Sequence, residues 1–291
     1  MILINKTWTP YLADLSGIMR LIAFILLLHT NLLLGQSNTN VKSFTLPSAI
    51  LNENRVFQIY LPPSSKDKLE VIYVLDGQAL FSTVVNILKK NGHDKKIVVG
   101  IGNIWLRERD YTPSKIQPSP FMDSAAAKIS GGGENFIAHL EKELIPYVNE
   151  HYPAGNSRVL IGHSLGGLIA VNILLKHTHL FNKYAAIDPS MWWDEDKLLE
   201  QSKELLKKLY PKVSLFLAIA NTTNKDKPNI EAIKKDSTEN TVLIRPSIKF
   251  LDYLKEDGKN NLNYTWKFYK DNDHMTLFEP AVTDALRFLL Q

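Results

Sequence analysis

Short runs of β-branched and aromatic residues recur along the chain between longer stretches of helical period. The runs are Arg55 to Leu61, Val71 to Leu75, Ile97 to Ile101, Val159 to Ile161, Tyr184 to Ile187, Val213 to Ala220 and Tyr264 to Tyr269. This alternation is what parallel strands joined by crossover helices require. Glu134 to Glu150 places Phe136, Ile137, Leu140, Leu144, Ile145 and Val148 on one stripe, and Leu165 to Leu175, Leu198 to Leu209 and Pro280 to Leu290 have the same period. The expected fold is α/β, with a mostly parallel central sheet flanked by helices.

Composition narrows the classes further. The 291 residues are 45% hydrophobic and 22% charged, an ordinary globular mix. A net charge of +4 is spread without a Lys/Arg block, so no nucleic-acid partner is expected. Cysteine is absent, which excludes disulfides, thiolate nucleophiles, Cys-ligated zinc and a lipid-anchored N-terminal Cys. Leu21 to Leu34 is apolar except for His29, Thr30 and Asn31, follows Arg20 and gives way to Gln36-Ser37-Asn38-Thr39-Asn40. That is the shape of a secretory signal peptide, and it falls short of the ~20 apolar residues of a membrane span. Residues 1–35 are therefore expected to be an N-terminal extension and signal, cut after Gly35, with translation starting at Met19. Residues 36–291 are expected to form a single domain, exported to the periplasm or beyond and without a stable membrane anchor.

The strongest local signal is Gly162-His163-Ser164-Leu165-Gly166-Gly167, set between the strand Val159 to Ile161 and a helix starting near Leu165. A sharp strand-to-helix turn holds such a serine in a strained conformation that glycines on either side make room for, and presents its hydroxyl at the sheet edge. The N–H of Leu165, at the helix start, is a candidate donor to a developing oxyanion. A serine hydroxyl needs a base. Of the eight histidines, His274 follows the last strand and precedes the terminal helix, the place the elbow order gives to the base. His139 and His151 belong to a helix, His93 to a surface turn, His177 and His179 to a helix end, and His163 is expected to face away from the serine and to pack or bond locally.

The carboxylate that orients the base is placed at Asp226, in the loop after Val213 to Ala220, with Glu231 and Asp188 as alternatives and a bare Ser-His pair also open. A second oxyanion donor is expected from Gly77 or Gln78, after the strand Val71 to Leu75. Trp192 and Trp193 are candidates for an aromatic wall against a ring-bearing acyl group or sugar, and Arg109 for an anionic part of a substrate. Asn103 to Ser130 reads as a long irregular loop ending at Gly131-Gly132-Gly133, which lacks the Lys-Ser/Thr of a P-loop. No metal or organic cofactor is implied.

These residues resemble the Putative esterase family of α/β hydrolases, which includes enterochelin-type siderophore esterases, feruloyl and acetyl xylan esterases and esterase D. The resemblance rests on Arg55-Val56-Phe57 with Tyr60-Leu61-Pro62, Tyr73-Val74-Leu75-Asp76-Gly77, Arg109-Asp110-Tyr111-Thr112-Pro113, Glu143-Leu144-Ile145-Pro146, Gly162 to Gly167, Pro189-Ser190 with Trp192-Trp193, and Asp273-His274. It implies an α/β-hydrolase fold, Ser164 as acylated nucleophile, His274 as base and then acid, and Leu165 with Gly77 or Gln78 as oxyanion donors. The substrate it implies is a small-molecule or carbohydrate ester, including siderophore esters. Acyl transfer on the same fold and a catalytically silent binding module are the rival functions. Two departures bear on the acid: Asp188 stands where relatives often have the first serine of Ser-Pro-Ser, and Asn221-Thr222-Thr223-Asn224 stands where many carry Glu or Asp.

Overall fold

The computed structural model describes residues 40–63, 67–103, 106–118, 124–223, 229–256 and 261–291. The expected leader, the Met19 start and the cut after Gly35 lie outside them. Eight strands, β1 (Val41–Ser48), β2 (Glu53–Tyr60), β3 (Leu69–Leu75), β4 (Ile97–Ile101), β5 (Ala154–His163), β6 (Lys183–Ile187), β7 (Ser214–Ala220) and β8 (Asn263–Tyr269), form one sheet in the order β1-β2-β4-β3-β5-β6-β7-β8. From β4 to β8 every pairing is parallel; β1 and β2 close one edge as antiparallel strands. Each expected run is a strand, within a few residues at its ends. The sequence pattern passes over β1, whose polar Lys42 and Ser43 and whose Pro47 suit only an edge strand.

The described helices are α1 (Gly77–Lys90), α2 (Arg107–Asp110), α3 (Ser124–Ile129), α4 (Gly133–His139), α5 (Ile145–His151), α6 (Leu165–Lys176), α7 (Trp193–Leu205), α8 (Ile230–Lys235), α9 (Arg245–Glu256) and α10 (Phe278–Leu289). Alternate residues of β3 and β5 enter two separate apolar layers, one on each face: Val71, Tyr73 and Leu75 in one, Ile72 and Val74 in the other. The second layer is closed by α1 and α10, through Val84, Leu88, Val282 and Leu286 among others. No helix among the described residues is long and apolar enough to cross a membrane.

Two expected helices are modified by local chemistry. The stretch from Glu134 is interrupted by a π turn at Leu140–Leu144, which ends two residues before Pro146, a residue with no N–H to give to an α ladder. The helix expected from Leu198 is preceded by Asp194, Glu195 and Asp196, all at left-handed φ (50, 53 and 62°), and stops at Leu205. Helix α1, not anticipated, follows Asp76, which stands at the N-cap at φ 53° but makes no side-chain cap bond.

The stretch from Asn103 to Ser130 contains α2 and α3 and is tied down at several points. The Trp193 indole N–H donates to the Ser114 carbonyl at 2.8 Å, and Ile116 N–H donates to Ser130 Oγ at 3.1 Å. Gly131 is at φ +92°, where a side chain would also meet Lys115 N at 2.8 Å, so the glycine run serves close packing at the helix start.

Candidate active site

The C-terminal ends of β5, β6 and β8 converge on one cavity of about 420 Å³ lined by Ser164, Asp188, Ser190, Trp192, Leu243 and His274, among others. Strand β5 runs straight into α6 through Ser164, whose backbone sits at φ 61°, ψ −122°. A non-glycine residue there costs ~1–3 kcal/mol, which the surroundings must over-determine. They do so through three backbone bonds. Ser164 N–H donates to Ile187 O at 3.0 Å, and its carbonyl accepts from Leu168 N–H at 3.0 Å and Ser190 N–H at 3.2 Å. Gly162 is required by the same turn, because a Cβ on it would lie 2.1 Å from Gly166 O.

Leu168 is the residue that bonds back to Ser164, so the N–H groups of Leu165, Gly166 and Gly167 precede the α6 ladder. At the neighbouring strand end, Ala79 and Leu80 bond back to the Asp76 carbonyl, and Gly77 and Gln78 open α1 in the same way. Gly77 has no room for a side chain, since a Cβ would lie 2.5 Å from Gly100 C. The Gln78 side chain is occupied by the next loop: its amide oxygen accepts from Asn103 N–H at 2.9 Å and its amide nitrogen donates to Asn103 O at 3.3 Å. Arg107 Nε donates to buried Asp76 Oδ1 at 2.8 Å, so this strand end is held by an ion pair. Burial pushes the Asp76 carboxyl upward despite the opposing pull of Arg107.

The residue after β6 is Asp188, buried and at φ 41°. Its Oδ1 accepts from Ala220 N–H at 3.0 Å, and its Oδ2 lies 2.6 Å from His274 Nδ1. A carboxylate accepts, so Nδ1 carries the proton and Nε2 is left as the basic nitrogen. The carboxylate on His274 is therefore that of Asp188, weighed in the sequence only as an alternative. Asp226 lies outside the described residues, and Glu231 is an exposed side chain of α8 whose carboxylate is 3.7 Å from Lys234 Nζ. Asp188 keeps the chain order serine, acid, histidine but follows β6 and not β7: the two strands are neighbours in the sheet, and a residue at the tip of β6 reaches the base without a long loop.

Trp192 lines the cavity, but Trp193 is 1% exposed and belongs to the core. Arg109 is also elsewhere. Its guanidinium is spent on Glu53, at 2.7 and 3.0 Å, and on Asp110, at 2.7 Å, and it is not part of the cavity wall. The expectation that His163 bonds locally is corrected as well, because its Nε2 lies 2.8 Å from the carbonyl oxygen of His274. Sequence reasoning missed Leu243 and Met275 as wall residues; Met275 is 78% exposed beside the base, a clue only once the loop is placed.

A second cavity of about 560 Å³ adjoins the first and shares Trp192 and Leu243 with it. Its rim mixes Lys234, Arg245 and Lys249 with Glu195, Asp196 and Asp252. Burial raises the Asp196 carboxyl, a pull that Lys249 partly offsets.

The profile of the Putative esterase family matches residues 48–245, so the chain belongs to that family and, with it, to the carboxylic-ester hydrolases of α/β-hydrolase fold. It is similar to the ferri-bacillibactin esterase BesA of Bacillus subtilis, 26% identical over 287 residues that cover 88% of this chain and 93% of that one. It is also similar to the siderophore enterobactin esterase of Emericella nidulans, 23% identical over 78% of this chain and 84% of that one. Among solved structures, an IroE-like serine hydrolase from Shewanella oneidensis aligns at TM-score 0.75 with 29% identity, covering 85% of this chain and 79% of that one.

Proposed function

We propose that the protein is an exported serine esterase that cleaves a siderophore ester through an acyl-enzyme on Ser164. The observation that carries the reading is the Asp188–His274 pair at 2.6 Å on the wall of the cavity that Ser164 also lines. With Nδ1 held by Asp188, His274 Nε2 takes the Ser164 Oγ proton as the oxygen attacks the ester carbonyl. The tetrahedral oxyanion is stabilised by the N–H of Leu165 and by that of Gly77 or Gln78. His274 then protonates the departing alcohol. In the second half it deprotonates a water that attacks the acyl carbonyl, and the acid leaves as Ser164 recovers its proton. Asp188 stays ionised throughout and holds the imidazole in the required tautomer.

Two observations support a siderophore over a short ester. The named relatives act on bacillibactin and enterobactin esters. The second cavity, reached past Trp192 and Leu243, gives room for a substrate that extends well beyond its scissile bond. Export rests on the signal-like composition of residues 1–35.

The test is fluorophosphonate labelling of the full chain, with mass spectrometry to place the adduct, alongside product analysis on enterobactin. Expected are one adduct on Ser164, free acid as product, and loss of both with Ser164→Ala. Labelling elsewhere, or turnover retained in Ser164→Ala, rejects the mechanism. An acylated acceptor in place of free acid rejects hydrolysis, and cleavage of p-nitrophenyl acetate without enterobactin rejects the substrate.

A further inference from the structure

We infer that His163 is a positioning residue for the reaction: through its Nε2–H bond to the His274 carbonyl it fixes the main chain of the base at the distance from Ser164 that proton transfer needs. This rests on the reading of Ser164, His274 and Asp188 given above. The need for such a device follows from the sheet. His274 follows β8, which lies three places from β5 in the strand order. At the usual spacing of ~4.8 Å between strands, the two strand ends are ~14 Å apart, whereas the imidazole must come within about 3 Å of Ser164 Oγ. The loop after β8 therefore has to lean across the tips of β7 and β6.

The bonds that hold the lean are few and can be assigned. Asn221, beyond β7, binds the base of the loop: its N–H donates to Asn272 O and its side-chain amide to Lys270 O, both at 2.9 Å. Asp273 stiffens the tip from within, accepting from Met275 N–H at 3.0 Å and Thr276 N–H at 2.9 Å. Two bonds reach His274 itself. Asp188, from β6, fixes the ring at Nδ1, and His163, from β5, fixes the carbonyl at 2.8 Å. An Nδ1 bond alone leaves the ring free to swing about that contact; a second point on the main chain removes the swing. His163 is the residue before the nucleophile, so this second point ties the base to the strand end that carries Ser164.

The chemistry of His163 suits the task. A carbonyl only accepts, so Nε2 bears the proton. The two rings lie 4.5 Å apart between centroids, and Phe278 closes on His163 edge-on at 5.9 Å. Burial, and then the neighbouring His274, push the His163 pKa down to about 4, against the pull of Asp188, with Arg107 adding to the fall. His163 therefore stays neutral when His274 becomes an imidazolium during turnover, and a donor that was itself cationic at this distance would oppose that step.

The experiment compares His163→Phe, which keeps a ring and loses the donor, with His163→Gln, which keeps an N–H near the Nε2 position. Rates are taken per active site titrated with fluorophosphonate, so that loss of folded protein does not count. Expected is a fall in kcat of about tenfold to a hundredfold in His163→Phe with KM within about twofold, the cost of a small misplacement of a catalytic group. In His163→Gln most of the rate returns. Wild-type kcat per site in His163→Phe, or equal losses in both variants, overturns the inference. Should the Phe variant not fold, histidine-selective ¹⁵N NMR of the wild-type chain decides: a neutral His163 protonated at Nε2 at pH 7 supports the inference, and protonation at Nδ1 alone or at both nitrogens overturns it. Failure of the underlying esterase reading is seen separately, as absence of Ser164 labelling in the wild-type chain.

Discussion

Two histidine–carboxylate pairs in this molecule have the same bond length and opposite surroundings. His274 Nδ1 lies 2.6 Å from Asp188, and His139 Nδ1 lies 2.6 Å from Glu143, with Ser48 Oγ on the same carboxylate at 2.5 Å. Each site thus contains a serine, a histidine and an acid. In the second, however, the serine is bonded to the acid, whereas Ser164 lines the same cavity as the His274 ring. The His139 ring is fully buried, and its Nε2 has no hydrogen-bond partner among the described residues. The His274 side chain is 36% exposed and faces a cavity. The comparison teaches that pairing a histidine with a carboxylate makes a base only where the other ring nitrogen meets both substrate space and a nucleophile. Otherwise it is a clamp: Glu143 also accepts from Ala49 and Ile50 N–H, at 2.9 and 3.1 Å, and so pins the β1–β2 turn to the π turn after α4.

The largest expected effect breaks the functional pair. Asp188→Asn is nearly isosteric but presents an amide that can donate to Nδ1, which favours the tautomer with the proton on Nε2, where it blocks general-base catalysis. A fall in kcat of about 10⁴-fold is expected. Steady-state turnover of a p-nitrophenyl ester measures it, and a fall of less than tenfold removes Asp188 from the mechanism.

Breaking the second pair is expected to act on stability alone. Glu143→Gln keeps the shape, yet an amide has one acceptor oxygen for the four donors that now converge on the carboxylate. At least one donor is left facing an NH₂ group, a loss of ~1–3 kcal/mol. Urea unfolding should show that loss while kcat per titrated site stays within about twofold. A change in kcat as large as that of Asp188→Asn would make the two pairs equivalent and defeat the contrast.

That the functional pair was legible in the sequence only in part has a physical cause. Ser164 and His274 are announced by local pattern: glycines that a tight turn demands, and a polar loop between the last strand and the last helix. Asp188 has no local signal, because its role comes from a neighbour relation in the sheet, β6 beside β7, and from a left-handed φ that the chain order does not reveal. The same holds for His163, whose partner lies 111 residues away. Strand existence was legible because buried runs carry their own period, whereas α1, whose N-cap Asp76 makes no side-chain cap bond, and α9 were not. Arg109 and Trp193 looked functional by residue type, and only their neighbours, Glu53 with Asp110 and Ser114, show them to be structural.

The last effect is a slope that the two sites share. Burial lowers the pKa of His139, and burial together with His274 lowers that of His163 to about 4. For a base held neutral in the fold, the unfolded chain binds the extra proton first. Stability is therefore full above the unfolded value near 6.5 and is lost as pH falls toward the folded value. Between pH 6.5 and about 4.5, His163 contributes up to ~1.4 kcal/mol per pH unit to this fall, and His139 adds to it in the same direction. Urea unfolding at pH 7.0, 6.0 and 5.0 should follow that fall, and His163→Gln should flatten it while leaving the share due to His139. A flat profile in the wild-type chain would mean that neither ring is held neutral by the fold. It would then leave the two histidine sites distinguished by geometry alone.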